Sequence, residues 1–197
     1  DAYFDTLYDG EPKSIASYPG MYERTLTMYT FSKKFAMTGW RLGASIGPKK
    51  IIEQINRLNV NMESCTTHFV QYAGLAGLNA PNQETQDILD ILKKRRDALV
   101  KILNDIEGVE VHAPEAGFYV FPKITTLLEN TGFDNVEEFR KVVLKETGVS
   151  FCGRHHFGRP LENEKDYYIR LAFSGIGMND LKEGMKLFKR WIASNTK

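Results

Sequence analysis

The sequence is short of the features that mark several protein classes. It has two cysteines, Cys65 and Cys152, in 197 residues. Two are too few for a disulfide framework, so free thiols in a reducing, cytoplasmic compartment are expected. Charge of either sign is not in excess: 26 Lys and Arg stand against 25 Asp and Glu, a formal net charge of +1. That balance gives no electrostatic reason to expect nucleic acid or a membrane surface as partner. No apolar run approaches the roughly 20 residues of a membrane span. The first residues have neither the basic start nor the apolar run of a signal peptide. Repeats and low-complexity tracts are also missing. What is present, 42% hydrophobic and 26% charged residues, is the ordinary mixture of a globular chain long enough for a sizeable core.

There is no initiator Met. The chain opens on Asp1-Ala2-Tyr3-Phe4, aromatic residues that read as the middle or end of a strand, so a fragment with protein missing upstream is expected. Asp9-Gly10-Glu11-Pro12 is a turn signal. Residues 25–31 are β-branched and aromatic and predict a buried strand. Residues 42–46 predict another, closed by Gly47-Pro48. Pro48 then starts a helix to about Asn59, and an Ala- and Gly-rich helix spans about 66–79, a composition suited to close packing. A long helix over roughly 83–106 carries an apolar stripe of Ile88, Leu92, Leu99, Ile102, Leu103 and Ile106.

Short strands are predicted at 109–112, 117–121, 149–152 and 167–173. Asp134 to Glu137 resembles a capping box opening a helix to about Glu146, and Asp180 to Glu183 opens the last helix, with Leu181, Met185, Phe188 and Trp191 inward. The order helix–strand–strand–helix–strand–strand–helix describes an α+β unit over 83–197. Residues 1–80 have too few strands to stand alone and read as the tail of a larger α/β domain.

The densest chemistry lies in Thr30-Phe31-Ser32-Lys33-Lys34-Phe35-Ala36-Met37-Thr38-Gly39-Trp40-Arg41-Leu42-Gly43. A strand ends, a lysine follows, and an arginine comes eight residues later. An amine buried at a strand end can have its pKa lowered and attack a carbonyl. An arginine fork with nearby hydroxyls can bind a phosphate. Glycines let the backbone come close. Taken alone, Lys33 and Lys34 would be solvated charges in a loop.

The run Ser-Lys-x-Phe-x-Met-x-Gly-Trp-Arg-x-Gly resembles, without a gap, the cofactor-attachment signature of class I/II aminotransferases, pyridoxal-phosphate enzymes of fold type I. The resemblance implies that Lys33, rather than Lys34, forms the Schiff base with pyridoxal 5'-phosphate and then moves the proton of the substrate Cα. It implies that Arg41 and the Thr30 hydroxyl bind the cofactor phosphate; the family usually has Ser at Thr30. Asp1-Ala2-Tyr3 resembles the family's Asp-x-x-Tyr strand, which makes Tyr3 a donor to the cofactor's 3'-oxygen. The aspartate that pairs with the pyridine nitrogen would precede Asp1.

Tyr167 to Phe173 resembles the strand whose arginine grips the substrate α-carboxylate, here Arg170. An Arg in an apolar strand needs an anionic partner in any case. Gly117 to Pro122 resembles the strand beside the active-site mouth and reads mostly as core. Gly153-Arg154-His155-His156-Phe157-Gly158 departs from the family's usual Pro-Gly-Ser-x-Phe-Gly. Adjacent histidines on a strand would point to opposite faces without a further ligand, so no metal is expected.

The implied fold is part of fold type I: the end of the large mixed-sheet cofactor domain over 1–80 and the small α+β domain over 83–197. The implied function is transfer of an amino group between an L-amino acid, aspartate-type by default, and a 2-oxo acid. A lyase or cyclopropane-forming synthase of the same fold, and a catalytically incomplete fragment, are the alternatives. The family also implies a homodimer, with Glu63 to Thr67 near the neighbouring subunit's site. Arg57 and Arg154 are, by chemistry alone, candidates for a distal carboxylate.

Overall fold

The computed structural model describes residues 2–196, so Asp1, where the reading of the opening strand begins, lies outside the described residues. The chain divides into two compact units, residues 1–89 with 115–117, and residues 90–114 with 118–197. Among the described residues no helix is long and apolar enough to cross a membrane.

The first unit is built on a two-stranded antiparallel hairpin. Strand β1 (Thr27–Thr30) pairs with β2 (Gly43–Ile46), from Thr27 opposite Ile46 to Thr30 opposite Gly43. Helices α1 (Lys49–Met62) and α2 (His68–Asn79) follow. The opening residues are not a strand. The Thr6 amide and hydroxyl both donate to the Tyr3 carbonyl at 3.0 Å, which closes a turn instead. Leu7 then makes a single antiparallel bridge to Ala116, and the buried Tyr8 hydroxyl donates to the Gly117 carbonyl. Local side-chain bonding of this kind competes with strand pairing.

Helix α3 (Asn82–Asn104) runs from the first unit into the second. Its predicted stripe is present: Leu92, Leu99 and Leu103 are buried, and Ile106 just beyond is buried too. The second unit has a three-stranded antiparallel sheet in the order β3 (Tyr119–Val120), β5 (Ile169–Ala172), β4 (Cys152–Gly153). Helices α4 (Thr125–Thr131), α5 (Val136–Thr147) and α6 (Met178–Asn195) complete it. Among the described residues the predicted strand at 109–112 is reduced to an isolated antiparallel bridge between Glu110 and Lys123.

The predicted cap of α5 shifts by one residue. Asn135, in extended backbone, accepts the Glu138 amide at 2.8 Å. Helix α6 starts at Met178 with Gly177 as its cap. The core of this unit is aromatic. Phe139 is fully buried, and its ring lies 5.5 to 6.4 Å from those of Phe133, Phe151, Phe188 and Trp191. Burial of this kind, at roughly 25 cal/mol per Å2 of apolar surface, is the main stabilising contribution.

Candidate functional site

The signature segment is a loop of residues 31–42 with both ends pinned. The Thr30–Gly43 pair closes the hairpin, and the Phe31 amide donates to the Leu42 carbonyl at 3.2 Å. Inside the loop the Phe35 amide donates to the Phe31 carbonyl, and the Thr38 hydroxyl donates to the Ser32 carbonyl at 3.2 Å. Lys33 is half-buried in the turn that follows β1. Two non-glycine residues sit in left-handed backbone, Ala36 at φ 52° and Arg41 at φ 58°. Such conformations are uncommon for residues with a Cβ, and they turn the chain sharply around the loop.

The loop is held from beneath by a small apolar core. Phe31, Met37, Leu42 and Val70 are buried together, with Tyr29, Phe35 and Ala73 against them. Helix α2 approaches this core through glycines. A Cβ on Gly74 would overlap Leu42 Cδ2 and press Phe31 at 3.3 Å, and one on Gly77 would lie 3.1 Å from the Phe35 ring. The Ala- and Gly-rich composition of the helix is therefore the condition for the loop to rest on it.

Three functional groups stand at the end of β1 and along the loop. Thr30 Oγ1 accepts the Ser32 amide at 3.2 Å, and its own proton has no acceptor among the described residues. Arg41 is exposed, donates one guanidinium nitrogen to the Thr38 carbonyl at 2.9 Å, and has no carboxylate partner among the described residues. Lys34 forms an ion pair with Asp5 Oδ1 at 3.2 Å. Asp5 Oδ2 accepts the Tyr29 hydroxyl at 2.6 Å. Burial, helped by the hydrogen bond to Asp5, pushes the Tyr29 phenol well above its ordinary range. Beside Arg41, an open cleft of about 1120 Å3 is lined by Trp40, Gly43, Cys65, Thr66 and Phe69 among others. Lys33 and Thr30 do not line it.

Tyr3 lies half-buried in the opening turn, its ring beside Gly117. Arg170 belongs to the second unit. Ile169, Leu171 and Phe173 face the core, so Arg170 points from the opposite face of β5 and is half-buried rather than enclosed. Its guanidinium carbon lies 4.4 Å from the Tyr119 ring and 4.1 Å from the Phe157 ring. Among the described residues it has no carboxylate partner.

Two readings need correction. Arg154 cannot serve as a ready reader of a distal carboxylate. Its guanidinium is committed to Glu164, at 3.0 and 3.1 Å, and to the Gly158 and Arg159 carbonyls. The histidine pair lies in a single 3-10 turn, residues Arg154–Phe157, not in a strand, and the two rings are 4.0 Å apart. A carboxylate does accompany them: ligating atoms of Glu137, His155 and His156 lie within 4.8 Å of one another. Both Glu137 oxygens, however, accept the Arg140 fork at 2.8 and 2.7 Å. That hydrogen bonding holds Glu137 down at about 2, and a metal would have to compete with the guanidinium. The aromatic neighbours of Arg170 were not legible in advance, since Phe157 is thirteen residues away and no periodicity joins them.

The family model for aminotransferase class I and II matches residues 1–186. The chain is 33% identical over 186 residues to an aspartate aminotransferase of Sulfurisphaera tokodaii, covering 94% of this chain and 45% of the relative. It is 34% identical to aromatic-amino-acid aminotransferase 2 of Thermococcus litoralis, covering 94% of this chain and 46% of that one. Among solved structures, the aromatic aminotransferase of Pyrococcus horikoshii superposes with a TM-score of 0.85 at 31% identity, over 98% of this chain and 49% of that chain. This chain thus spans about half the length of the relatives it matches. Enzymes of this family depend on pyridoxal phosphate, and the mixed α/β architecture here is part of their fold type I. On the match over nearly its whole length, the chain belongs to the class I and II aminotransferases.

Proposed function

We propose that the full-length protein containing this chain is a pyridoxal-phosphate-dependent aminotransferase, with Lys33 as its covalent lysine. The observation that supports this most directly is the loop 31–42. Together with Thr30 at the end of β1, it places an amine, a hydroxyl and a guanidinium on one pinned segment, and the neighbouring amine of Lys34 is paired with Asp5. That donor set fits the cofactor chemically: a phosphate monoester needs a fork and hydroxyl donors, and an aldehyde needs an amine. When bound, the cofactor supplies an aldehyde carbon and an electron-withdrawing ring that acidifies the substrate Cα.

The chain's own residues do the rest. Thr30 and Arg41 would hold the phosphate. Tyr3 would donate to the 3'-oxygen of the ring. Lys33 would hold the cofactor at its aldehyde carbon, and its amine would carry the substrate Cα proton as a positioned general base. Arg170 takes the substrate α-carboxylate in its planar fork. The relatives carry names for aspartate and for aromatic amino acids, and aspartate-type donors with a 2-oxo acid acceptor are the default reading. A cytoplasmic homodimer is part of the same proposal.

The test is a cofactor absorbance band in the visible or near ultraviolet that survives dialysis of the full-length protein and disappears in Lys33→Ala. Loss of the band should accompany a kcat lower by about 10²–10⁴. A full-length protein that never acquires the band overturns the reading. Release of ammonia from the amino acid without a 2-oxo acid acceptor would move it to a lyase.

A further inference from the structure

Phe157 is 45% exposed, so it buries little apolar surface and is not where a core residue would be placed. Its ring nevertheless has a defined contact: it lies 4.1 Å from the guanidinium carbon of Arg170. The Tyr119 ring lies 4.4 Å from the same carbon. Strand register explains Tyr119. It stands opposite Ala172, which makes it the diagonal neighbour of Arg170 on one face of the sheet. Register does not explain Phe157, since the residue opposite Arg170 on the other side is Cys152. Phe157 reaches Arg170 because the chain after β4 folds into a 3-10 turn and is then tied down.

The tie is Arg154. Its own amide donates to the Tyr168 carbonyl at 3.0 Å, fixing the start of the turn to the strand that carries Arg170. Its side chain donates to the carbonyls of Gly158 and Arg159 at 3.1 and 3.2 Å and pairs with Glu164 through two nitrogens. Glu164 in turn accepts the Leu161 amide at 2.9 Å. Residues 158–164 are thereby gathered around one guanidinium, immediately after Phe157. Gly158, at φ 135°, makes the turn that this requires. On its other side the Phe157 ring meets Phe121 edge to face at 6.5 Å, and Phe121 stacks on Tyr168 at 5.3 Å.

A guanidinium is planar, and all five of its N–H donors lie in that plane. Aromatic rings attract it over their faces. A guanidinium stacked in this way keeps its in-plane edge for a carboxylate, loses rotamer freedom before the ligand arrives, and is partly shielded from water. Each of these effects favours binding of a carboxylate.

We propose that Phe157 is a positioning residue for Arg170, and that the Arg154–Glu164 pair holds Phe157 in place for that purpose. The proposal rests on the reading of Arg170 as the α-carboxylate residue. It adds a specificity for substrates with a free planar carboxylate in line with the fork, and it places the control of that fork in the 154–164 segment.

The experiment is steady-state kinetics of the full-length enzyme reconstituted with pyridoxal phosphate, using aspartate and alanine as donors and propionate as a carboxylate-only inhibitor. Phe157→Ala should raise KM for both donors roughly three- to thirtyfold, the range that one cation–π contact represents. The inhibition constant of propionate should rise by a similar factor, with kcat at saturation unchanged within about twofold. Phe157→Tyr should restore all three, and Glu164→Gln should act in the same direction with a smaller effect. Because Phe157 is exposed, the variant is expected to fold, and an unchanged cofactor spectrum checks this. The control is Arg170→Ala. If it raises KM at least tenfold more than Phe157→Ala does, the carboxylate reading stands. If Arg170→Ala does so while Phe157→Ala leaves KM and propionate inhibition unchanged, the positioning role is overturned alone. If Arg170→Ala leaves both unchanged, the carboxylate reading falls and the proposal falls with it.

Discussion

The Lys34 ammonium lies 3.2 Å from Asp5 Oδ1, an ion pair in which both side chains are largely covered. Asp5 also accepts the Tyr29 hydroxyl, so the carboxylate is a junction between the opening turn, strand β1 and the loop. Lys34 is thereby given a structural role.

Lys34→Met should therefore retain the cofactor absorbance band in the full-length protein and keep kcat within about threefold. Its cost should appear in stability, at about 0.2–1 kcal/mol for a pair of this exposure, read from the urea midpoint. Loss of the band in Lys34→Met, with retention in Lys33→Ala, would reverse the assignment of the two lysines.

Gly74→Ala tests the support beneath the loop. The added methyl would overlap Leu42 Cδ2 and press Phe31, both members of the core that carries residues 31–42. Overpacking of this kind costs about 1–3 kcal/mol. Leu42→Val beside it should recover part of the loss, because the two changes share one space and will not add independently. A Gly74→Ala protein as stable as the parent, measured by urea unfolding, would show that the loop yields freely.

The elements that were legible in the sequence are those with local causes. The hairpin strands, α1, α2, α3 and α6 each follow from β-branched runs, a proline start or an apolar stripe of the right period. The family was legible because a single uninterrupted segment, with Thr30, Lys33 and Arg41 in it, carries the motif. Helix α4 was not, for Leu127, Leu128 and Thr131 are buried within only seven helical residues, too short for a periodic signal. The opening turn was misread because Tyr3 and Phe4 have strand propensity, while the local bonds of Thr6 to the Tyr3 carbonyl override it. Arg154 looked like a substrate reader because its four acceptors lie on residues 158–164, and nothing in a linear pattern shows that a side chain is already occupied.

Arg154 provides a separate test of substrate choice. With its guanidinium committed to Glu164 and two carbonyls, it should not discriminate donors by a distal carboxylate. Arg154→Met is expected to raise KM for aspartate and for alanine by the same factor within about twofold, through disorder of the segment that it ties. A selective loss of tenfold or more for aspartate alone would return Arg154 to the list of distal-carboxylate candidates.

The acid limb of stability should carry the mark of Glu137. The Arg140 fork, with Arg140, Lys141 and His155 as favourable charges, holds this carboxyl at about 2 instead of its ordinary 4.5, against a smaller opposing effect of burial. The folded value is depressed, so the unfolded chain binds the proton more readily at acid pH. The contribution is accordingly present in full above about pH 4.5, where the unfolded group is ionised. It declines as pH falls and is gone below about pH 2, where both states are protonated. Glu137→Gln removes that titration. Urea midpoints measured between pH 6 and pH 2 should fall less steeply for the variant than for the parent below about pH 4.5, with the two curves converging at the acid end. Parallel curves across that window would mean that the Arg140–Glu137 fork is open in solution.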